Sequence, residues 1–399
     1  MMNKAEEFVQ NLSKKSFLSM WGLANPQGKE KGKELCDFLV ICGGDIIIFS
    51  VKEIEFYGED DSGVATKRWY REAINASVKQ IYGAERLIGR LNRILTKEGE
   101  GWLPLPSATD RRIFRIAVAI GSKRRLPIYS SDFGKGFVHI FDEISLGVVM
   151  QELDTIVDFV DYLKAKEDFW AKRSIISGGE EDLLAVYLYN GRSFSRGSDN
   201  TNVFVVEKGS WGKLLTMPEY INKKKADEIS YGWDNLIEKF CEDFYDSHLE
   251  TDCSLSEIEE TLRGMARESR FNRRFLAKHF LDLVTNDKSQ KVKSRKLQSP
   301  SGVVYVFSIY NRGEDRQYRK ADLGNRCFVA RGVTPNCNTV IGIATEAYEG
   351  KPGFSLDAVY LYKPNWLEED RLDCEKMQQE LGYFLTPKVT AVREEEYPK

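Results

Sequence analysis

Polar residues are sparsest between positions 35 and 51, where LCDFLVIC and DIIIFSV flank Gly43-Gly44. Apolar runs of this length, bounded by turn residues, read as strands buried on both faces. The Gly-Gly pair between them predicts a two-residue hairpin. Upstream, Phe8, Leu12, Phe17 and Met20 recur at helical spacing and predict an opening helix over 3–21. Downstream comes an acidic, Gly-containing loop over 57–67. A long helix over 68–95 follows, with Trp69, Ala73, Ala76, Ile81, Leu87, Ile88, Leu91 and Leu95 supplying its apolar stripe. Strands are predicted at 113–120 and 137–141, then a helix at about 151–166. Helix, two strands, helix and strand make one α/β unit.

The composition shifts near RSIISGGEE (173–181), and a strand-like LLAVYLY opens the next region. Helices are predicted over 223–245 and 255–284. The second begins with Ser254 as N-cap and Glu257 three residues on, a capping box. The polar, basic stretch 286–300 marks another boundary. Beyond it VVYVFSIY, RCFVARG, TVIGIAT and LDAVYLY read as strands. The expected organisation is an α+β chain. Residues 1–172 form a core of helices flanking a central mixed sheet, 173–298 a largely helical middle region, and 299–399 a mainly β region. No internal repeat is visible.

Register gives the hairpin its chemistry. With Gly43-Gly44 as the turn, Asp37 pairs with Ser50, and Lys52 lies diagonal to Asp37 on the same face. That face otherwise carries Leu39, Ile41, Ile46 and Ile48, so the polar groups stand at the rim of a greasy ribbon. Buried or half-buried charges need partners. One reading is a cross-strand salt bridge at a sheet edge. The other is a phosphodiesterase site, with carboxylates for a hard divalent cation and a lysine for developing charge.

At these residues the chain resembles the PD-(D/E)xK, or restriction-endonuclease-like, nucleases. Asp37 matches the family's first acid, and Ser50-Val51-Lys52 stands at the place of (D/E)-x-K. The order of helix, two strands and helix matches as well, over about the first 120 residues. The resemblance implies a Mg²⁺- or Mn²⁺-dependent nuclease in which Asp37 binds metal, Val51 offers its carbonyl and Lys52 acts on the attacking water or the phosphate. It further implies a glutamate from the opening helix, for which Glu6 or Glu7 is the candidate, and a glutamine from the following helix, for which Gln80 fits. Ser50 departs from the motif, since it brings no charge. Glu34 is the substitute carboxylate, although strict strand alternation turns it, like Glu53, to the opposite face, and a bulge would have to redirect it. By analogy with bacterial proteins that carry such a domain, the partners are nucleic acid, DNA first, and an anti-phage or restriction system working with an ATPase or as an oligomer. The rival reading is a nuclease fold without catalysis, serving as a nucleic-acid or protein-binding subunit.

Composition adds limits. Net charge is −3, so the chain is no polycation. It concentrates basic residues at 111–125 and again at 263–296, where Arg267, Arg270, Arg273 and Arg274 offer the best nucleic-acid surface outside the hairpin. Seven scattered cysteines and three histidines include no CxxC or CxxH pair, which argues against structural zinc. No signal-like start and no run of about 18 apolar residues appears, so a cytoplasmic protein is expected. Asp132-Phe133-Gly134 copies a kinase triplet without its partner motifs and carries no weight. His139, between Val138 and Ile140, reads as structural.

Overall fold

The structure, a computed structural model, describes residues 4–28, 34–57, 63–176, 178–194, 203–246, 248–249, 251, 253–285, 293–347, 355–385 and 395–398. The chain divides into two compact units, Met1–Ile221 and Asn222–Lys399. This division falls inside the region that the sequence set apart as 173–298. No helix among the described residues is long and apolar enough to cross a membrane.

The first unit is built on a six-stranded sheet. It opens with helix α1 (Lys4–Trp21) and the short strand β1 (Gly22–Ala24), followed by β2 (Phe38–Cys42) and β3 (Asp45–Glu53). A helical run then crosses over the sheet, made of α2 (Gly63–Trp69), a π-helical turn at Tyr70–Asn75, and α3 (Ala76–Ile88). A small hairpin of β4 (Arg93–Leu95) and β5 (Gly101–Pro104) precedes β6 (Arg112–Ile120), β7 (Ser131–Asp132) and β8 (Phe137–Phe141). The sheet order is β1-β2-β3-β6-β8-β7. The first three strands form an antiparallel meander, and β6 and β8 run parallel to β3. Parallel neighbours end at the same edge. The C-terminal ends of β3, β6 and β8 therefore lie together with the N-terminal end of β2.

The hairpin register is the one its apolar pattern predicts, with Phe38 facing Phe49 and Cys42 facing Asp45. Both faces are covered. Leu39, Ile41, Ile46 and Ile48 share a core with Ile74, Val78 and Ile81 of the crossing helix. On the other face Phe49 meets Phe17 of α1 and Phe38, and Phe17 also packs edge-on to Phe159. Helices α4 (Glu143–Glu152) and α5 (Ile156–Trp170) stand where one helix at 151–166 was expected, because Asp142 and Thr155 each cap a separate start. The crossing helix starts earlier than expected and stops at Ile88. Arg111 terminates it by donating to the carbonyls of Ile88 (2.7 Å) and Leu91 (3.0 Å).

LLAVYLY is helical, not a strand, within α6 (Glu180–Tyr189). It is preceded by β9 (Ser174–Ile176), which pairs in parallel with β10 (Val203–Val205). Glu180, Glu181 and Asp182 in its first turn complement the positive end of the helix dipole. Leu183, Leu184, Ala185, Tyr187 and Leu188 are all buried, which erases the helical period from the sequence. Helices α7 (Ser210–Leu215) and α8 (Pro218–Asp227) lead to the division between the units.

The second unit holds α9 (Tyr231–Tyr245), α10 (Leu255–Ala266) and α11 (Arg270–Thr285). Ser254 and Glu257 form the expected capping box of α10. Its sheet runs in the order β11 (Lys293–Gln298), β12 (Val303–Tyr310), β13 (Thr339–Glu346), β14 (Leu356–Tyr362). The region expected to be mainly β is mixed. RCFVARG belongs to helix α12 (Arg316–Gly332), and α13 (Glu368–Leu381) follows the sheet. Leu323, Cys327 and Ala330 of α12 pack on β12 and β13 at a spacing that a short apolar window cannot distinguish from a strand.

Because Phe49 joins both α1 and the hairpin, Phe49→Ala should destabilise the protein by about 3–5 kcal/mol. Urea unfolding followed by tryptophan fluorescence checks this, and a loss below about 1 kcal/mol would contradict the packing described.

Candidate active site

Asp37 sits just before β2, where the ladder ends. Its N–H still donates to the Phe49 carbonyl at 3.2 Å. Its carboxylate, only 7% exposed, then replaces the missing strand backbone. Oδ2 accepts the Val51 N–H at 2.5 Å, and Oδ1 accepts from Gln80 Nε2 at 3.1 Å. The other end of the Gln80 amide accepts from Ser50 Oγ at 3.0 Å. Lys52 Nζ stands 3.9 Å from Asp37 Oδ2. The hairpin and α3 thus bring Asp37, Ser50, Lys52 and Gln80 into one connected cluster at the sheet edge. Val51 joins it through its N–H.

Glu34 enters by a route different from a bulge. It forms an isolated bridge with Gln27, and the backbone over Leu35–Asp37 is not strand, so alternation does not govern where Glu34 faces. Partial burial, the neighbouring Asp37 charge, a hydrogen bond with Asp37 and the charge of Glu6 push the Glu34 carboxyl up to about 7, with Lys52 opposing. Of the two opening-helix glutamates, Glu6 is the one felt at this point. Cys36, fully buried beside these acids, is held well above the ordinary thiol range by burial first and the Asp37 and Glu34 charges second, so it is no thiolate.

A carboxyl raised beside a second acid forms a site that a cation relieves. Among the described residues no three or more His, Cys, Asp or Glu side chains gather as a metal cage. Mg²⁺, however, is commonly held by one or two carboxylates while keeping several waters. Glu34 and Asp37 fit that pattern. Ser50, with no exposed surface and its hydroxyl engaged by Gln80, fits it only through a water.

The second basic run is turned inward. Arg270 and Arg273 pair with Asp234, and Arg274 lies 3.5 Å from Asp227. Arg273 also donates to the carbonyls of Glu268 and Ala266. With these three side chains at 4% exposure or less, the surface expected from Arg270, Arg273 and Arg274 does not exist; Arg267 alone faces solvent. Arg270 and Arg273 hold α11 against α9, and Arg274 reaches the end of α8. In the first unit His139 is buried, with Nε2 3.0 Å from Glu167. Burial, then Lys166 and Arg115, keep it well below its ordinary pKa, as befits a structural histidine.

Compared with family models, curated proteins and solved structures, the chain gives no match.

The Glu34 carboxyl has a consequence for stability. A pKa raised from 4.5 to about 7 means that folding favours the protonated form, so stability falls as pH climbs from about 4.5 through 7. Glu34→Gln should remove that dependence and raise the melting temperature relative to wild type above pH 7, with little difference near pH 4.5. Thermal melts across pH 4.5–8.5 check it; parallel curves for the two proteins would refute the raised Glu34 carboxyl.

Proposed function

We propose that the first unit is a Mg²⁺- or Mn²⁺-dependent nuclease of the restriction-endonuclease-like kind, acting on phosphodiester bonds of DNA. The observation that carries this reading is the convergence of Asp37, Lys52 and Gln80 at the shared end of an antiparallel hairpin and a parallel strand, with Glu34 beside them. The arrangement of helix, meander, crossing helix and parallel strand supports it. Glu34 takes the place of the acid that Ser50 lacks.

Glu34 and Asp37 would hold the cation, with Val51 available through its main chain. The chemistry such an ion supplies when bound is charge neutralisation at the phosphate and a more acidic water. Val51 N–H and Gln80 fix the Asp37 carboxylate so that little reorganisation is needed on binding. Lys52, tethered by Asp37 and about one third exposed, reaches the position of a scissile phosphate. There its ammonium offsets the negative charge that builds as water oxygen bonds to phosphorus and the ester P–O bond breaks. Ser50 keeps the Gln80 amide in the orientation that presents its N–H₂ to Asp37.

A second reading has its own observation. Both Asp37 oxygens are already engaged by N–H donors, and Ser50 is neutral, as in a nuclease fold kept as a nucleic-acid or protein-binding subunit. Cleavage assays on single-stranded and plasmid DNA with Mn²⁺ separate the two. The enzyme reading expects Asp37→Asn to fall to background and Lys52→Ala to lose about 10²–10³-fold. Equal cleavage by wild type and both variants would overturn the site, and no cleavage by any would favour the binding subunit. Ser50→Asp, which restores an acid, should tighten Mn²⁺ binding measured by calorimetry while lowering stability without metal.

A further inference from the structure

The turn that follows β6 stands beside the candidate site and is built against its own backbone preference. Lys52 pairs with Ala119 and Glu53 with Ile120. The extension of β3 continues the pairing, with Ile54 N–H donating to Ile120 O at 3.0 Å and Phe56 N–H to Gly121 O at 3.1 Å. Gly121 has φ +101°, and a Cβ there would lie 2.5 Å from the Ile54 carbonyl oxygen, so the start of the turn is pinned. Arg125 N–H donates back to Ser122 O at 3.0 Å. Between them Lys123 and Arg124 are both left-handed, with φ of 51° and 59°. A four-residue turn with two left-handed central residues is type I′, whose ordinary occupants are Asn and Gly. Lys-Arg is a costly filling for it, and an outlier of this kind points to a use for the side chains.

Those side chains face outward. Lys123 is 60% exposed while pairing with Glu55 at 2.8 Å, just beyond the end of β3. Arg124 is 44% exposed, pairs with Glu181 at 2.8 Å and lies 3.9 Å from Asp142. The Lys123–Glu55 pair, exposed on both sides, is weak enough for a phosphate to replace. Arg125 is exposed with no ion pair among the described residues. Two large flat side chains accompany them, Tyr57 at 90% exposure and Tyr129 at 60%. Tyr70 on the crossing helix donates its hydroxyl to the Pro127 carbonyl and ties the loop down.

We propose that the Lys123–Arg125 turn, with Tyr57 and Tyr129, is a binding track for single-stranded nucleic acid leading to Asp37 and Lys52. The turn contacts successive phosphates, and a tyrosine face stacks on a base, the combination by which single strands are bound without sequence preference. This inference rests on the nuclease reading for its direction, yet it is tested by binding alone. The double variant Lys123→Asn/Arg124→Gly installs the preferred type I′ residues and should fold at least as well. Fluorescence anisotropy with a labelled oligo-dT, in EDTA to silence cleavage, should then show affinity at least tenfold weaker. The slope of log affinity against log salt should also flatten by about 1.4, two phosphate contacts at 0.7 each, with an unchanged or higher melting temperature. Tyr129→Ala should weaken the single strand more than a duplex of equal length. Unchanged affinity in the double variant, or equal affinity of wild type for duplex and single strand, overturns the track. Wild-type protein that binds the oligonucleotide through the turn yet cleaves nothing with Mn²⁺ would count against the nuclease reading and leave the track standing.

Discussion

At the open end of the hairpin, one carboxylate does the work of a strand. The β2–β3 ladder stops at Phe38–Phe49, and the next N–H along β3, on Val51, would be left without an acceptor in a buried place. Asp37 supplies that acceptor with one oxygen and takes the Gln80 amide with the other. A buried acid satisfied in this way is held in one orientation, and it in turn orients the helix that carries Gln80 and the lysine that faces it. The meander, the crossing helix and the candidate site all meet on this group.

The same constraint explains why Glu34 matters. Because the chain leaves strand geometry between Glu34 and Phe38, a residue that alternation would turn away comes to lie near enough to Asp37 to feel its charge. Serine at position 50 then serves hydrogen bonding in place of charge, as the partner of the Gln80 carbonyl. An acid in that buried spot, beside Asp37 and Glu34, would add a third negative charge to a low-dielectric edge. Burial first, and the Asp37 charge after it, already lift the Glu34 carboxyl to about 7.

The second unit repeats the strand and helix order of the first. An antiparallel pair, β11 and β12, is followed by helix α12 and by β13 parallel to β12, as β2 and β3 are followed by the crossing helix and β6. Ser294 and Ser308 hydrogen-bond across this hairpin at 3.1 Å. At the end of β12, Tyr310 donates to Asp322 of α12, which Arg326 and Tyr383 also satisfy. A closed network of this kind stabilises a helix–sheet contact. The repetition is invisible in the sequence because it lies in which backbones pair, and many apolar sequences satisfy the same pairing.

Periodicity and turn chemistry, both local, determined much of this protein. The Gly43-Gly44 hairpin, its register, the facing of Asp37, Ser50 and Lys52 and the Ser254 capping box were all legible, since each depends on neighbours in the chain or across one tight turn. Tertiary structure decided the rest. LLAVYLY and RCFVARG are helices because burial on every side, or a sheet to lie against, overrode a short apolar window. The basic run at 270–274 is a buried ion-pair network because Asp227 and Asp234 lie on elements far enough away in sequence to give no local sign. Glu34 lies near Asp37 because the chain leaves strand geometry between them, a local departure that the apolar pattern does not record.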